Sequence, residues 1–364
     1  MGREDIMRTV PTDYDAAVVG AGPAGSCAAR RLAEAGLKVL LIEQQQSVGE
    51  NIQCAEYVPS ILKKYVSLRD SDVAQTLQGI KTFIQGELVQ VTRAPGFTIN
   101  RGYWENHLAD EAVRAGVRLL TGVRVTDAGS RTVTLQNGAG HATVTADYIF
   151  GCDGPRSVIS LKLGNHPTES CVAMQYEISL AEPLEFAHIY FDPAYYGGYA
   201  WVIPKGASAN VGIAVHASLN GSLQELLGKF CRDLIAAQVV RDSAVRRTTG
   251  GLIPAAGLVD HLAGDHMLLA GDAAGCTHPI TGAGIAAAVV SGKLAAEAVL
   301  DQKKTGGSSL AENYTRILKE EYGEPLDRAR SRFLARERGW TDDRHKFSGL
   351  IRRSWVAFPE YYAK

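Results

Sequence analysis

Tyr14-Asp15-Ala16-Ala17-Val18-Val19-Gly20-Ala21-Gly22-Pro23-Ala24-Gly25 decides the fold. An apolar strand runs into Gly-x-Gly-x-x-Gly, and a helix of small residues is expected over Ser26 to Ala35. A second strand, Lys38 to Ile42, then ends at the acid Glu43. Each glycine has a physical reason: Gly20 permits the tight turn, Gly22 lets backbone approach a pyrophosphate, and Gly25 lets helix and strand pack closely. The helix N-terminus offers free N–H groups and a positive dipole end to phosphates. Glu43, roughly 20 residues downstream, is placed to accept hydrogen bonds from an adenosine ribose. A lone glycine pattern would be an ordinary turn. Strand, glycines, helix, strand and acid in order point to a dinucleotide site.

At 364 residues the chain has room for two intertwined domains and a sizeable core. Its net charge of −1 gives no sign of a general nucleic-acid binder. The six cysteines (27, 54, 152, 171, 231 and 276) form no Cys-x-x-Cys pair and no zinc spacing, so no metal is expected. Scattered thiols behind a short, charged N-terminal lead read as a reduced, cytoplasmic protein. The most apolar stretch, Ile280 to Leu300, carries Lys293 and Glu297, which excludes a membrane span.

Further along, Leu77 to Arg93 alternates and breaks at Gly86, as a hairpin does. Trp104, Leu108 and Ala112 have helical spacing, and a strand over Val117–Val125 follows. Asn137-Gly138 is a hairpin turn between Arg131–Leu135 and Ala142–Phe150. Cys152-Asp153-Gly154 is a polar turn directly after a buried strand. Cys171 to Ala217 reads as short alternating strands, Leu223–Val240 as helix, and Met267–Ala270 as a buried strand before Gly271-Asp272. Ile285–Leu300 is a small-residue helix, and the last 60 residues are helical and polar.

Three elements in this order resemble the FAD-binding fold of p-hydroxybenzoate hydroxylase-like flavoproteins. They are the glycine-rich start, the Asp153-Gly154 turn, and Gly271-Asp272 followed by Pro279 and Gly282-Ala283-Gly284. The likeness covers most of residues 13–300. It implies an α/β fold: a Rossmann-like FAD-binding domain, an inserted antiparallel-sheet substrate domain and a helical C-terminal tail. The expected division is 1–60, 95–165 and 247–300 for FAD, 61–94 and 166–246 for substrate, and 301–364 for the tail. By the resemblance Asp272 binds the ribityl chain, and Arg101, opening its helix, contacts the cofactor. The 279–284 stretch would present a helix N-terminus to the flavin N1–C2 edge, which is negative when reduced. The implied FAD site is Gly20, Gly22, Pro23, Ala24, Gly25, Glu43, Gln44, Cys54, Arg101, Val125, Asp153, Gly154, Gly271, Asp272, Pro279, Gly282, Ala283, Gly284 and Ile285.

Within this fold the chain is most similar to the geranylgeranyl reductase family. Gln53-Cys54-Ala55-Glu56 is similar to that family's cysteine-bearing loop near the flavin. Gly197-Gly198-Tyr199-Ala200-Trp201-Val202-Ile203-Pro204 is close to its Pro-x-x-Tyr-x-Trp-x-Phe-Pro signature, with Tyr196 in place of Pro and Ile203 in place of Phe. Gly275 stands where aromatic hydroxylases of the fold carry His. The resemblance implies reduction of prenyl double bonds: FAD supplies a hydride, and the protein supplies shape and a proton path.

Strand alternation puts Tyr199, Trp201 and Ile203 on one face and Ala200 and Val202 on the other. Phe186, Tyr190, Phe191, Tyr199 and Trp201 give the inserted sheet an apolar, aromatic wall, and the Tyr199 face is either an isoprenoid slot or plain sheet core. Cys54, Tyr199 and Trp201 are the candidate catalytic residues, Cys54 as proton donor beside reduced flavin. A Cys54–Cys276 redox pair is a further alternative, and His278 reads as a polar lining or cap. No second strand–glycine–helix unit with its own acid occurs, so a dedicated nicotinamide domain is not expected, and the electron donor is either transiently bound NAD(P)H or a ferredoxin-like partner. Arg328 to Arg353 carries nine Lys/Arg against three Asp/Glu, interleaved with Phe333, Trp340 and Phe347. That suits peripheral contact with an anionic membrane, or a solvated face or dimer contact. Two competing functions remain: a flavin monooxygenase or halogenase, whose Trp-x-Trp-x-Ile-Pro is similar to Tyr199-x-Trp201-x-Ile203-Pro204, and a non-catalytic FAD-binding accessory factor.

Overall fold

The computed structural model describes residues 11–138, 140–166, 169–306 and 309–363. The charged lead expected before the first strand lies outside the described residues. The chain opens with β1 (Asp13–Val19), α1 (Pro23–Glu34) and β2 (Val39–Ile42). β1 and β2 are apolar runs buried nearly throughout, as parallel strands covered on both faces must be. Pro23 starts α1 at a position where its missing N–H costs nothing.

A small antiparallel sheet follows, made of β3 (Tyr57–Pro59), β4 (Val73–Leu77) and β7 (Gly96–Ile99). Between its strands the chain sends out the hairpin β5 (Gly79–Ile84) and β6 (Glu87–Thr92), turning at Gly86 as expected. α2 (Arg101–Arg114) leads back to β8 (Arg118–Leu120), then β9 (Arg124–Ala128), β10 (Thr132–Asn137) and β11 (Gly140–Gly151). The single strand expected over 117–125 is therefore two. It breaks at Gly122, whose φ of +68° a strand cannot accommodate.

β12 (Ser170–Leu180), β13 (Phe186–Phe191), β14 (Tyr199–Lys205) and β15 (Ser208–His216) form the inserted sheet, followed by α3 (Leu223–Ala236) and β16 (Val240–Pro254). α3 ends earlier than its apolar spacing suggests: Gln238 has φ +56°, and Val240 already belongs to a strand. β17 (Met267–Leu269), α4 (Ile285–Thr305), α5 (Leu310–Arg338) and α6 (Arg344–Ser354) complete the chain.

Two seven-stranded sheets result. The first runs β8-β2-β1-β11-β10-β9 with β17 also on β11; β8, β2, β1, β11 and β17 are parallel. The second runs β16-β12-β15-β14-β13-β5-β6 and is antiparallel except where β13 meets β5. One face of it packs on α3 through Ala200, Val202 and Val211. The other, through Phe191, Trp201 and Ile203, packs on α5, α6 and the last residues of the chain.

That second contact corrects the reading of the tail. Phe333 and Phe347 are buried in the layer against the sheet, Trp340 packs at its margin, and Arg336 is 1% exposed. The aromatic half of the basic segment is thus committed to the protein interior. Among the described residues no helix is long and apolar enough to cross a membrane.

α1 and α4 cross closely over the first sheet. A Cβ on Gly292 would stand 2.2 Å from the Ala24 carbonyl oxygen, whereas one on Gly22 meets nothing within 4 Å. Gly292→Ala should therefore destabilise the fold by about 1–3 kcal/mol through overpacking. Gly22→Ala should stay within about 1 kcal/mol yet lose bound dinucleotide. Denaturant midpoints and cofactor content per protein, measured on both variants, check the contrast; equal behaviour would contradict it.

Candidate flavin site and its catalytic edge

The glycine turns bring three segments of backbone together. A Cβ on Gly20 would lie 2.3 Å from the Cys152 carbonyl oxygen, and one on Gly25 would lie 1.9 Å from the Gly20 carbonyl oxygen. The Asp153-Gly154 turn therefore sits directly on the first glycine loop. Asp153 Oδ2 accepts from Val158 N at 2.7 Å and closes its own turn, while Oδ1 is buried without a donor among the described residues. Burial raises the Asp153 pKa. Gly271, at φ +63°, brings the third turn against Ala24. Its N–H donates to Ser291 Oγ at 2.9 Å.

Glu43 stands at the end of β2, where its carboxylate accepts from Ala21 N at 3.0 Å and from Gln45 N at 2.8 Å. Its backbone oxygen accepts from Val123 N, which places Gln44 and Val125 at the same end of the sheet. Asp272 accepts from Thr277 Oγ1 at 2.5 Å and lies beside Gly284. Gly284 is the N-cap of α4 and Gly22 that of α1; neither helix has a side-chain cap. Two helix N-termini with unused N–H groups thus face the space beside these turns, and Ile285 is the first residue of α4.

This arrangement fits FAD. The open room over Gly22 and the bare start of α1 suit a pyrophosphate. Glu43 retains lone pairs for a ribose, and Asp272 and α4 stand ready for the ribityl chain and flavin edge.

The second half of the site is a loop that sequence spacing alone did not resolve. Glu56 is 1% exposed and holds φ +66°, a strained value for a side-chain-bearing residue. Its Oε1 accepts from Arg101 N at 3.0 Å, at the start of α2. Its Oε2 meets Lys205 Nζ at 2.5 Å, Asn210 Nδ2 at 2.9 Å and Arg247 Nη2 at 3.5 Å. These come from β14, β15 and β16, so one buried carboxylate ties the Cys54 loop and α2 to the second sheet. Two cations and an amide around a carboxylate are what allow a charge to be buried there.

Cys54 is half-buried, and its Sγ accepts from Glu56 N at 3.1 Å. Its carbonyl accepts from Gln175 Nε2 at 2.7 Å, and Gln175 Oε1 accepts from Trp201 Nε1 at 3.2 Å. The Arg101 guanidinium lies against the thiol and donates to Glu105 at 2.6 Å. Tyr199 and Trp201 stand edge to face with ring centroids 5.9 Å apart. The Tyr199 hydroxyl donates to Thr281 O at 2.5 Å, beside Gly282 of the Pro279–Ile285 segment. Cys54, Arg101, Tyr199 and Trp201 are thus brought together.

Several expectations need correction. The wall of Phe191, Tyr199, Trp201 and Ile203 does not open as a slot: Trp355 covers Phe191 at 5.1 Å and Tyr199 at 5.4 Å between centroids, and Phe358 packs in the same layer. A cavity of about 640 Å³ lies elsewhere, over α1 and α4 at Cys27, Lys64 and Lys293. Cys276 is not paired with Cys54. It is buried in the core around the first sheet, where burial pushes its thiol up to about 12, and both are free thiols. His278, by contrast, is a cap as expected: Nδ1 accepts from Ile280 N and Thr281 N at 3.3 Å each, and burial lowers its pKa to about 4.

Glu56→Ala should cost about 3–5 kcal/mol, because it leaves the half-buried Lys205 without its partner and the amides and cations around it unpaired. Glu56→Ala combined with Lys205→Met should recover part of that loss. Urea denaturation of Glu56→Ala, Lys205→Met and the double variant checks the coupling, and simple additivity would refute it.

The chain matches the FAD binding domain family over residues 97–320 and an NAD(P)-binding Rossmann-like domain over residues 18–67. It is 31% identical over 336 residues to a digeranylgeranylglycerophospholipid reductase of Methanosarcina acetivorans, covering 86% of this chain and 82% of that one. Among solved structures it is similar to a geranylgeranyl bacteriochlorophyll reductase-like protein of Thermoplasma acidophilum. The TM-score is 0.82 at 23% identity, over 95% of this chain and 92% of that one. A flavin-dependent brominase aligns with a TM-score of 0.73 at 16% identity over 93% of each chain, a likeness of fold. With the family model spanning more than half its length and a reductase relative aligned nearly end to end, the chain belongs to the geranylgeranyl reductase family of FAD-binding oxidoreductases.

Proposed function

We propose that this protein reduces carbon–carbon double bonds in a geranylgeranyl or related isoprenoid chain. The observation that carries the reading is the meeting of the Cys54 thiol, the Arg101 guanidinium and the Tyr199–Trp201 edge beside the start of α4. When bound and reduced, FAD supplies the hydride that adds to one alkene carbon. The other carbon needs a proton, and Cys54 Sγ carries one at this edge. Arg101 against the sulfur stabilises the charge left after transfer. Burial pushes the Tyr199 pKa well above its ordinary value, so its hydroxyl stays protonated and serves to hold the sheet against Thr281. Trp201, through Gln175, fixes the backbone of the thiol loop.

The apolar layer around Phe191 and Ile203, closed by Trp355 and Phe358, keeps water from this edge. The electrons come from NAD(P)H or a ferredoxin-like partner. Contact with a membrane falls to exposed cations such as Arg330, Arg338, Lys346 and Arg353, since the tail's aromatic residues are turned inward.

Anaerobic incubation of dithionite-reduced holoprotein with a geranylgeranyl lipid, followed by mass spectrometry, tests the reading. Mass gains in multiples of two hydrogens are expected. An oxygen-dependent gain on an aromatic compound would establish the monooxygenase reading instead, and no change on either would leave an accessory flavoprotein. Cys54→Ala should slow turnover by roughly 10²-fold or more while flavin absorbance is retained. Normal turnover by that variant would remove Cys54 from the proton path.

A further inference from the structure

Arg336 is the one charged residue among the largest fully buried side chains. It lies on α5, in the apolar layer between the second sheet and the C-terminal helices, with its guanidinium 5.5 Å from the Phe333 ring. One nitrogen, Nη2, donates to Gly197 O at 2.6 Å. Nε and Nη1 have no acceptor among the described residues. Glu337, the adjacent carboxylate, lies within electrostatic range of the guanidinium but makes no hydrogen bond to it, its Oε1 standing 3.6 Å from His216 Nε2. Tyr199, whose hydroxyl reaches the Thr281 carbonyl, lies within electrostatic range of the guanidinium.

A guanidinium does not shed its charge when buried. An enclosed cation with two unused donors is costly, and an apolar side chain of similar size would pack there at less expense. Burial accordingly lowers the Arg336 pKa, though it has no neutral form to retreat to near pH 7. Two buried guanidinium donors left without an acceptor are suited to an anion that arrives with the ligand. The rings near it, Phe333 and then Tyr199, lead towards the Cys54 edge.

We propose that Arg336 is the anion anchor for the substrate, receiving the phosphate of a phosphate-bearing isoprenoid and thereby fixing which double bonds reach Cys54 and Tyr199. This deepens the isoprenoid reading and rests on it. Phosphate suits the site because its oxygens accept several charge-assisted bonds from one planar guanidinium.

The test uses FAD-loaded protein and three probes: geranylgeranyl phosphate, the neutral geranylgeraniol and inorganic phosphate. Equilibrium binding is measured for the natural protein, Arg336→Met and Arg336→Lys, together with the melting temperature of each without ligand. The natural protein should bind geranylgeranyl phosphate at least about 10-fold more tightly than geranylgeraniol. Arg336→Met should lose that preference while its affinity for geranylgeraniol is unchanged, and Arg336→Lys should keep part of it. Without ligand, Arg336→Met should melt at the same temperature or higher, because an unpaired buried charge has gone.

A preference that survives in Arg336→Met would overturn the proposal. So would a lower melting temperature of Arg336→Met together with weakened binding of both isoprenoids, which would make Arg336 a structural tie to Gly197. Inorganic phosphate binding as tightly as geranylgeranyl phosphate would mark a free-phosphate site and equally overturn it. If the natural protein binds geranylgeraniol but shows no preference, the anchor alone fails. If it binds neither isoprenoid, the isoprenoid reading fails and the anchor with it.

Discussion

Backbone approaches backbone at the heart of this protein with no space for a single additional carbon. The Gly20 turn rests on the Cys152 carbonyl, and Gly25 rests on Gly20. Gly271 meets Ala24, and Gly292 lets α4 cross α1 over the same place. Turns separated by more than a hundred residues are locked into one platform in this way. Everything offered to a dinucleotide projects from it: two bare helix starts, the Glu43 carboxylate and the Asp272 carboxylate. The platform is made of close packing and needs no side-chain chemistry of its own.

The second sheet must be held against this platform, and there the constraint is electrostatic. Glu56 gathers Lys205, Asn210, Arg247 and the first amide of α2 around one buried carboxylate. The strained backbone at Glu56 is sustained by those four partners. A thiol two residues away is thereby fixed between Arg101 and the Gln175–Trp201 pair. The catalytic edge proposed above exists only where these two constraints, packing on one side and charge on the other, meet.

These constraints differ in how visible they are in a sequence. A backbone that must turn tightly or touch another backbone demands glycine at a set spacing, so Gly20, Gly25 and Gly271 could be read directly, and Gly22 from the room a ligand needs above it. Strand alternation is equally local, and it put Tyr199, Trp201 and Ile203 on one face, where the structure has them, with Ala200 and Val202 on the other. Glu56 left no comparable trace. Its partners lie 45, 149, 154 and 191 residues away, and nothing in the local pattern announces such pairing. The same holds for the tail: basic and aromatic residues look alike on paper whether they face water or core. Only the packing of α5 and α6 on the sheet showed Phe333, Phe347 and Arg336 turned inward.

The burial of the cysteines has a practical corollary. Cys27, Cys152, Cys171, Cys231 and Cys276 are enclosed, and desolvation raises the pKa of each, so their sulfurs are poor nucleophiles near neutrality. Cys54 alone among the six retains partial access to solvent. A gentle alkylating dye or spin probe applied to the unaltered protein would therefore mark a single position, giving a spectroscopic reporter at the very loop whose placement matters most.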